Sequence, residues 1–184
     1  MTNRIILATL LGAMVSFLWG FASWSLLSWH KPKTFQNSSE VARVIQKGHD
    51  GHGMYIVPPP ADNAQPDVEA IQRGPFMYAI VRPGELHGWS MWKPMVLNFT
   101  VNLFLATLIA VIMVKRSHYR SKVLVGMAFG VFAGVSASMP LMIWMELPTA
   151  EAMARLLDPI IAWTLAAIVM GWVVKKPKRR IFTS

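Results

Sequence analysis

Two imidazoles three residues apart, with a carboxylate between them and a thioether two residues further on, make Lys47-Gly48-His49-Asp50-Gly51-His52-Gly53-Met54 the string richest in donor groups. His49, His52 and Met54 together form a donor set for copper or zinc, because imidazole suits both metals and a thioether favours Cu(I). His30 and His87 fall in the same stretch of chain and could complete such a site. The string also reads as a polar, glycine-rich connection in which the histidines are ordinary loop residues, since a metal site needs a ligand geometry that this spacing does not enforce. The sequence requires no cofactor; copper or zinc is the metal these donors would hold.

A second candidate is Asp158, at or just inside the start of an apolar run, where a carboxylate is costly enough to be functional by default. Asn98 and Asn102, one helical turn apart on another apolar run, and Glu146 are expected to line a polar outer-leaflet pocket with it. In that setting Asp158 would hold a proton or a cation. The competing reading makes Asp158 a helix N-terminal charge, or the partner of Arg155 three residues earlier. Thirteen methionines, Met91, Met95, Met139, Met142 and Met145 among them, suggest either a copper relay or flexible packing between helices. Enzyme templates are missing: the chain has no Walker loop, dinucleotide fingerprint, His-Glu-x-x-His or Gly-x-Ser-x-Gly. Catalysis would have to rest on His87, Glu85 and Asp158 without any supporting spacing, so the chain is expected not to be an enzyme.

The elements that must position these groups follow from the apolar pattern. Of 184 residues 54% are hydrophobic and only 15% charged, outside the usual globular balance. The apolar residues gather into four blocks, 5–29, 95–114, 123–145 and 156–174, each near the ~20 residues that span ~30 Å of hydrocarbon. The first block is too long, and too rich in Trp19, Trp24 and Trp29, to be a cleaved signal peptide. The expected fold is an all-α integral membrane protein, a bundle of four transmembrane helices, with a small α/β extracytoplasmic cap at 30–94 between the first two.

Charge fixes the orientation. Arg4, the Lys115–Lys122 connection and the basic tail at 175–184 carry ten positive charges and no acidic residue, whereas all nine acidic residues fall in 30–94 or around the turn before the fourth block. The positive-inside rule then puts both termini in the cytoplasm. Tail residues Lys175, Lys176, Lys178, Arg179 and Arg180 serve as a topology signal and touch anionic lipid headgroups. The net charge of +9 does not indicate nucleic acid, because the basic residues share no face and no stacking aromatics. With no cysteine, disulfides and thiolate chemistry are excluded.

Small residues recur every four positions as Gly12, Ser16 and Gly20 in the first block and as Gly126, Gly130, Gly134 and Ser138 in the third. Such rows let helix backbones approach closely, within this bundle or against a partner's helix. Pro140 should bend the third span and Pro159, in the first turn or so of the fourth, should be tolerated. Trp29, Trp92, Trp144 and Trp172 read as interfacial belt residues. In the cap, a helix and strand near 38–57 are echoed by a helix and strand near 66–81, with Gly48 and Gly74 as helix stops.

The helix–glycine–strand–Pro pattern of the cap, Arg73-Gly74-Pro75 before its second strand, and Leu156-Leu157-Asp158 ahead of an Ile/Trp-rich span resemble uncharacterised small four-span bacterial inner-membrane proteins. The resemblance covers most of the chain and implies the bacterial cytoplasmic membrane, with no activity attached. The function expected first is that of a non-enzymatic accessory, assembly or interaction protein, partnered by a membrane protein or by copies of itself. The alternatives are a periplasm-facing copper- or zinc-handling protein and a small proton- or cation-coupled carrier centred on Asp158.

Overall fold

The computed structural model describes residues 2–30, 32–60, 66–82, 84 and 90–174. In chain order the elements are α1 (Thr2–Ser25), a 3-10 turn (Ser28–His30), α2 (Ser38–Gly48), β1 (Gly53–Val57), α3 (Val68–Arg73), β2 (Met77–Val81), α4 (Trp92–Val114), α5 (Tyr119–Trp144) and α6 (Thr149–Val173). The chain is mostly helical and divides into two units, 1–31 with 90–184, and 32–89. Of the first unit's helices, α1, α4, α5 and α6 are each long and apolar enough to cross a membrane.

Within this unit α5 lies along α6, α6 along α1 and α1 along α4, while α4 and α5 meet only briefly. The seams are made of small side chains. Ala8, Ala13, Ala106, Ala110, Ala166 and Ala167 are fully buried and surround Ile109, Met113, Trp163 and Met170. Without a hydrophobic driving force between helices in lipid, close backbone approach is what such a bundle can gain from, and Ala and Gly permit it.

The second row of small residues, and Gly12 and Ser16 of the first, pack inside the bundle, whereas Gly20 faces open space. A Cβ on Gly126 would strike Ala167 and the Trp163 carbonyl, one on Gly130 would lie 2.6 Å from the Pro159 carbonyl oxygen, and one on Gly134 would strike the Leu156 carbonyl. Ser138, a turn further on, is fully buried. Gly12 accommodates Met170 of α6. At the opposite end, the buried Lys122 ammonium donates to the Val174 carbonyl and the Tyr119 hydroxyl to the Ile168 carbonyl at 3.1 Å, tying α5 to carbonyls near the C-terminus of α6, where a cation is favoured.

Helix α6 begins at Thr149, before the apolar block at 156–174. The preceding residues Ala150, Glu151, Ala152, Met153, Ala154 and Arg155 are strong helix formers, and Arg155 Nε donates to Glu151 Oε1 at 2.8 Å. Asp158 and Pro159 therefore lie in the helix interior rather than its first turn. Asp158 is not an N-terminal charge, and Arg155 pairs with Glu151 instead.

The second unit holds a two-stranded antiparallel sheet, β1 against β2, with Met54 opposite Ile80 and Ile56 opposite Tyr78. Asp67 caps α3, its carboxylate accepting from the Ala70 amide at 2.9 Å, and Gly74 ends that helix at φ 64°. Ser38 opens α2 with its hydroxyl turned to the Phe35 carbonyl at 2.6 Å. Met54, Ile56, Tyr78 and Ile80 form one exposed face of the sheet.

Candidate functional site

The polar groups of the helical unit converge where α1 ends and α6 begins. Trp19 of α1 donates its indole N–H to Asp158 Oδ1 at 2.7 Å. His30 of the 3-10 turn places Nε2 3.3 Å from Asp158 Oδ2 and Nδ1 3.7 Å from Glu151 Oε1. Glu151 and Asp158 stand two turns apart on α6, so both carboxylates project from one face and the imidazole is held between them. Its side chain is only 2% exposed.

Aromatic rings enclose the imidazole. Trp24 stacks on it with centroids 4.4 Å apart and planes 7° from parallel, and Trp29 meets it edge-on at 5.6 Å. Trp29 is itself held by donation to the buried Ser23 hydroxyl at 3.0 Å. It therefore serves this knot rather than a belt, in contrast to Trp92, Trp144 and Trp172, which stay exposed. Among the described residues neither ring nitrogen of His30 has a hydrogen-bond partner, so its contacts to the carboxylates are electrostatic. A donor at both nitrogens exists only in the doubly protonated ring, and a neutral ring turns one lone pair toward a carboxylate.

Asp158 also borders a cavity of about 560 Å³ between α1, α4 and α6. Phe17, Phe21, Trp24, Trp163, Met91 and Met95 supply apolar walls, and Ser16, Asn98, Asn102 and Asp158 the polar groups. The volume falls within the range of small-molecule clefts, and aromatic walls and polar groups share the lining. Ser16 donates to Asn102 Oδ1 at 2.8 Å, and Asn102 returns its amide N–H to the Asn98 carbonyl at 2.9 Å and to Asn98 Oδ1 at 3.2 Å. This chain joins α1 to α4 along the cavity floor. Ser16→Ala is expected to cost about 0.6 kcal/mol, the average for a hydrogen bond between transmembrane helices, read as a shift in unfolding by detergent titration.

Of the four residues expected to share a polar pocket, Asp158, Asn98 and Asn102 line this cavity and Glu146 does not. Glu146 lies just after α5 with φ 49°, in the turn toward α6. Gly20 also lines the cavity, and a Cβ there would meet nothing within 4 Å.

Two of the three candidate metal donors make local bonds. His49 Nδ1 accepts from the Gly51 amide at 3.0 Å, Met54 Sδ accepts from the Tyr78 hydroxyl at 2.8 Å, and His52 is exposed. Among the described residues no three His, Cys, Asp or Glu side chains form a group that could hold a metal. His30, counted with them in sequence, belongs to the helical unit. His87, Glu85, Lys175, Lys176, Lys178, Arg179 and Arg180 lie outside the described residues.

His30 is the residue that sequence reasoning underrated. Its signal was the closely spaced Trp24, Trp29 and His30, combined with two acidic residues seven apart at the start of the fourth span. The chain matches no protein-family model, no curated protein and no solved structure. Its function is therefore read from the cavity and the knot beside it.

Proposed function

We propose that this chain is a multi-pass protein of a bacterial cytoplasmic membrane, with both termini in the cytoplasm, and that it binds a small amphipathic molecule without catalysing its conversion. Membrane insertion is supported by the outward faces of the four long helices. Leu7, Leu10, Leu18, Val101, Phe104 and Phe132 are among many large apolar side chains exposed there, far more than a water-soluble monomer tolerates. The basic end of the bundle, at Lys115 and Lys122, faces the cytoplasm, and the end carrying His30, Glu151 and Asp158 faces outward.

The observation that carries the ligand reading is the cavity beside Asp158, where aromatic walls meet converging polar groups. An apolar body would sit against Phe17, Trp24 and Trp163, and a polar end would meet Asp158 and the Asn98 amide. The test uses the open space at Gly20. Native mass spectrometry of gently extracted protein is expected to detect a bound small molecule in the wild type and in Gly20→Ala, and to lose it in Gly20→Trp, whose indole projects into the cavity. Retention by folded Gly20→Trp would exclude the cavity as the site.

A second reading, an accessory or assembly role, is favoured by the exposed sheet face of Met54, Ile56, Tyr78 and Ile80. It predicts a stoichiometric partner, co-extracted with the wild type, that is lost in Ile80→Glu. Co-extraction unaffected by that substitution would exclude this face.

A further inference from the structure

We infer that the cavity takes an organic cation, and that this cation and a proton on His30 compete for the Asp158 carboxylate. The inference rests on the ligand reading of the cavity and names the class of ligand. Asp158 is shared by two environments: Oδ2 faces the buried imidazole at 3.3 Å, while the same carboxylate lines the cavity with Trp19, Trp24 and Trp163. Indole faces attract cations, most strongly where water is excluded, and among the described residues no cationic side chain lines the cavity to oppose one.

The carboxylate has capacity for such a ligand. Trp19 occupies one lone pair of Oδ1, and an ionised carboxylate offers about four acceptor sites. What decides its availability is the charge beside it. A doubly protonated His30 compensates Asp158 and leaves little attraction for a second cation, whereas a neutral His30 leaves the carboxylate charge to the cavity. Proton and ligand thus exclude each other through one shared anion, and binding of the cation releases the His30 proton to solvent.

The surroundings keep this exchange local. Among the described residues, the charged groups facing His30 are Glu151 and Asp158, with Arg155 tied to Glu151. The 3-10 turn adds Trp29 and α1 adds Trp24, neither of which carries a titratable group. Helix α5 has no titratable side chain between Val123 and Trp144, α4 has only Lys93 near its start, and the only charged side chain of α1, Arg4, is at its far end.

The test is calorimetric titration of the purified full chain in lipid nanodiscs with tetraphenylphosphonium, with neutral triphenylphosphine oxide as the comparison. The cation is expected to bind at least about tenfold more tightly at pH 8 than at pH 5. Titration of the wild type near pH 6.5 in two buffers of different ionisation enthalpy should show proton release on binding of the cation and none on binding of the oxide. In His30→Gln the pH dependence should disappear while the cation still binds. Cation binding equal at the two pH values, or without proton release, overturns the competition. Oxide binding as tight as the cation at pH 8, and lost in Gly20→Trp, overturns the choice of a cation but leaves the cavity a ligand site. Binding of both probes unchanged in Gly20→Trp overturns the inference together with the reading on which it rests.

Discussion

Replacement of Asp158 by Ala is expected to lower the stability of the helical unit by about 2 kcal/mol, the scale on which a polar group left without its partner acts. One half-buried and one buried group lose their complement at once. The Trp19 indole N–H loses the acceptor it holds at 2.7 Å, and His30, with a side chain 2% exposed, keeps only Glu151 at 3.7 Å. Asp158→Asn retains an acceptor for Trp19 and should lose markedly less, because orphaning a buried donor is the costlier part of such a deletion. Unfolding by denaturing detergent, monitored by tryptophan fluorescence, checks the order wild type, Asn, Ala. Equal stability of all three would mean that the knot contributes nothing to holding the turn after α1 against α6.

Gly130→Ala should have the second large effect, a loss of about 1–3 kcal/mol from overpacking. The added methyl would sit 2.6 Å from the Pro159 carbonyl oxygen and 2.8 Å from the Ile160 Cα. Both are backbone atoms of α6, so neither can turn aside as a flexible side chain would, and α5 must move outward along its whole seam. Gly20→Ala is the matched control, since its Cβ enters open space and the change should stay within about 0.5 kcal/mol. The same detergent titration separates the two. A neutral Gly130→Ala would show that α5 and α6 have room between them.

These two sites differ in how far sequence could disclose them. The four long helices were legible because uninterrupted apolar runs of that length have few other uses, and the Gly126, Gly130, Gly134 row because a four-residue repeat of small side chains marks a close helix seam. The direction that row faces was not legible, since packing on α6 and packing on a partner require the same residues. The start of α6 was misplaced because hydropathy sees Glu151 and Arg155 as loop, whereas their helix propensity and mutual i,i+4 pairing extend the helix through them. That misplacement also put Asp158 and Pro159 at the helix start, whereas they lie in its interior.

Asp158, Asn98 and Asn102 could be grouped by their depth in adjoining apolar blocks, and Glu146 was grouped with them for the same reason. Depth does not specify azimuth, and the backbone turn at Glu146 takes it away from the cavity wall. The partnership of His30 with Asp158 spans 128 residues of sequence and involves one residue from a 3-10 turn, for which no periodicity exists to read. His49, His52 and Met54, by contrast, were conspicuous through local spacing alone, and local bonds at His49 and Met54 are what the fold gives them.

The chain contains no cysteine, so a single one at position 20 reports on the cavity without background. In intact cells, Gly20→Cys protein is predicted to react with a membrane-impermeant maleimide from the external side, and the rate is predicted to fall in proportion to occupancy as tetraphenylphosphonium or triphenylphosphine oxide is added. A rate that stays constant up to saturating concentrations of both probes would contradict the assignment of this cavity as the place where the protein holds its ligand.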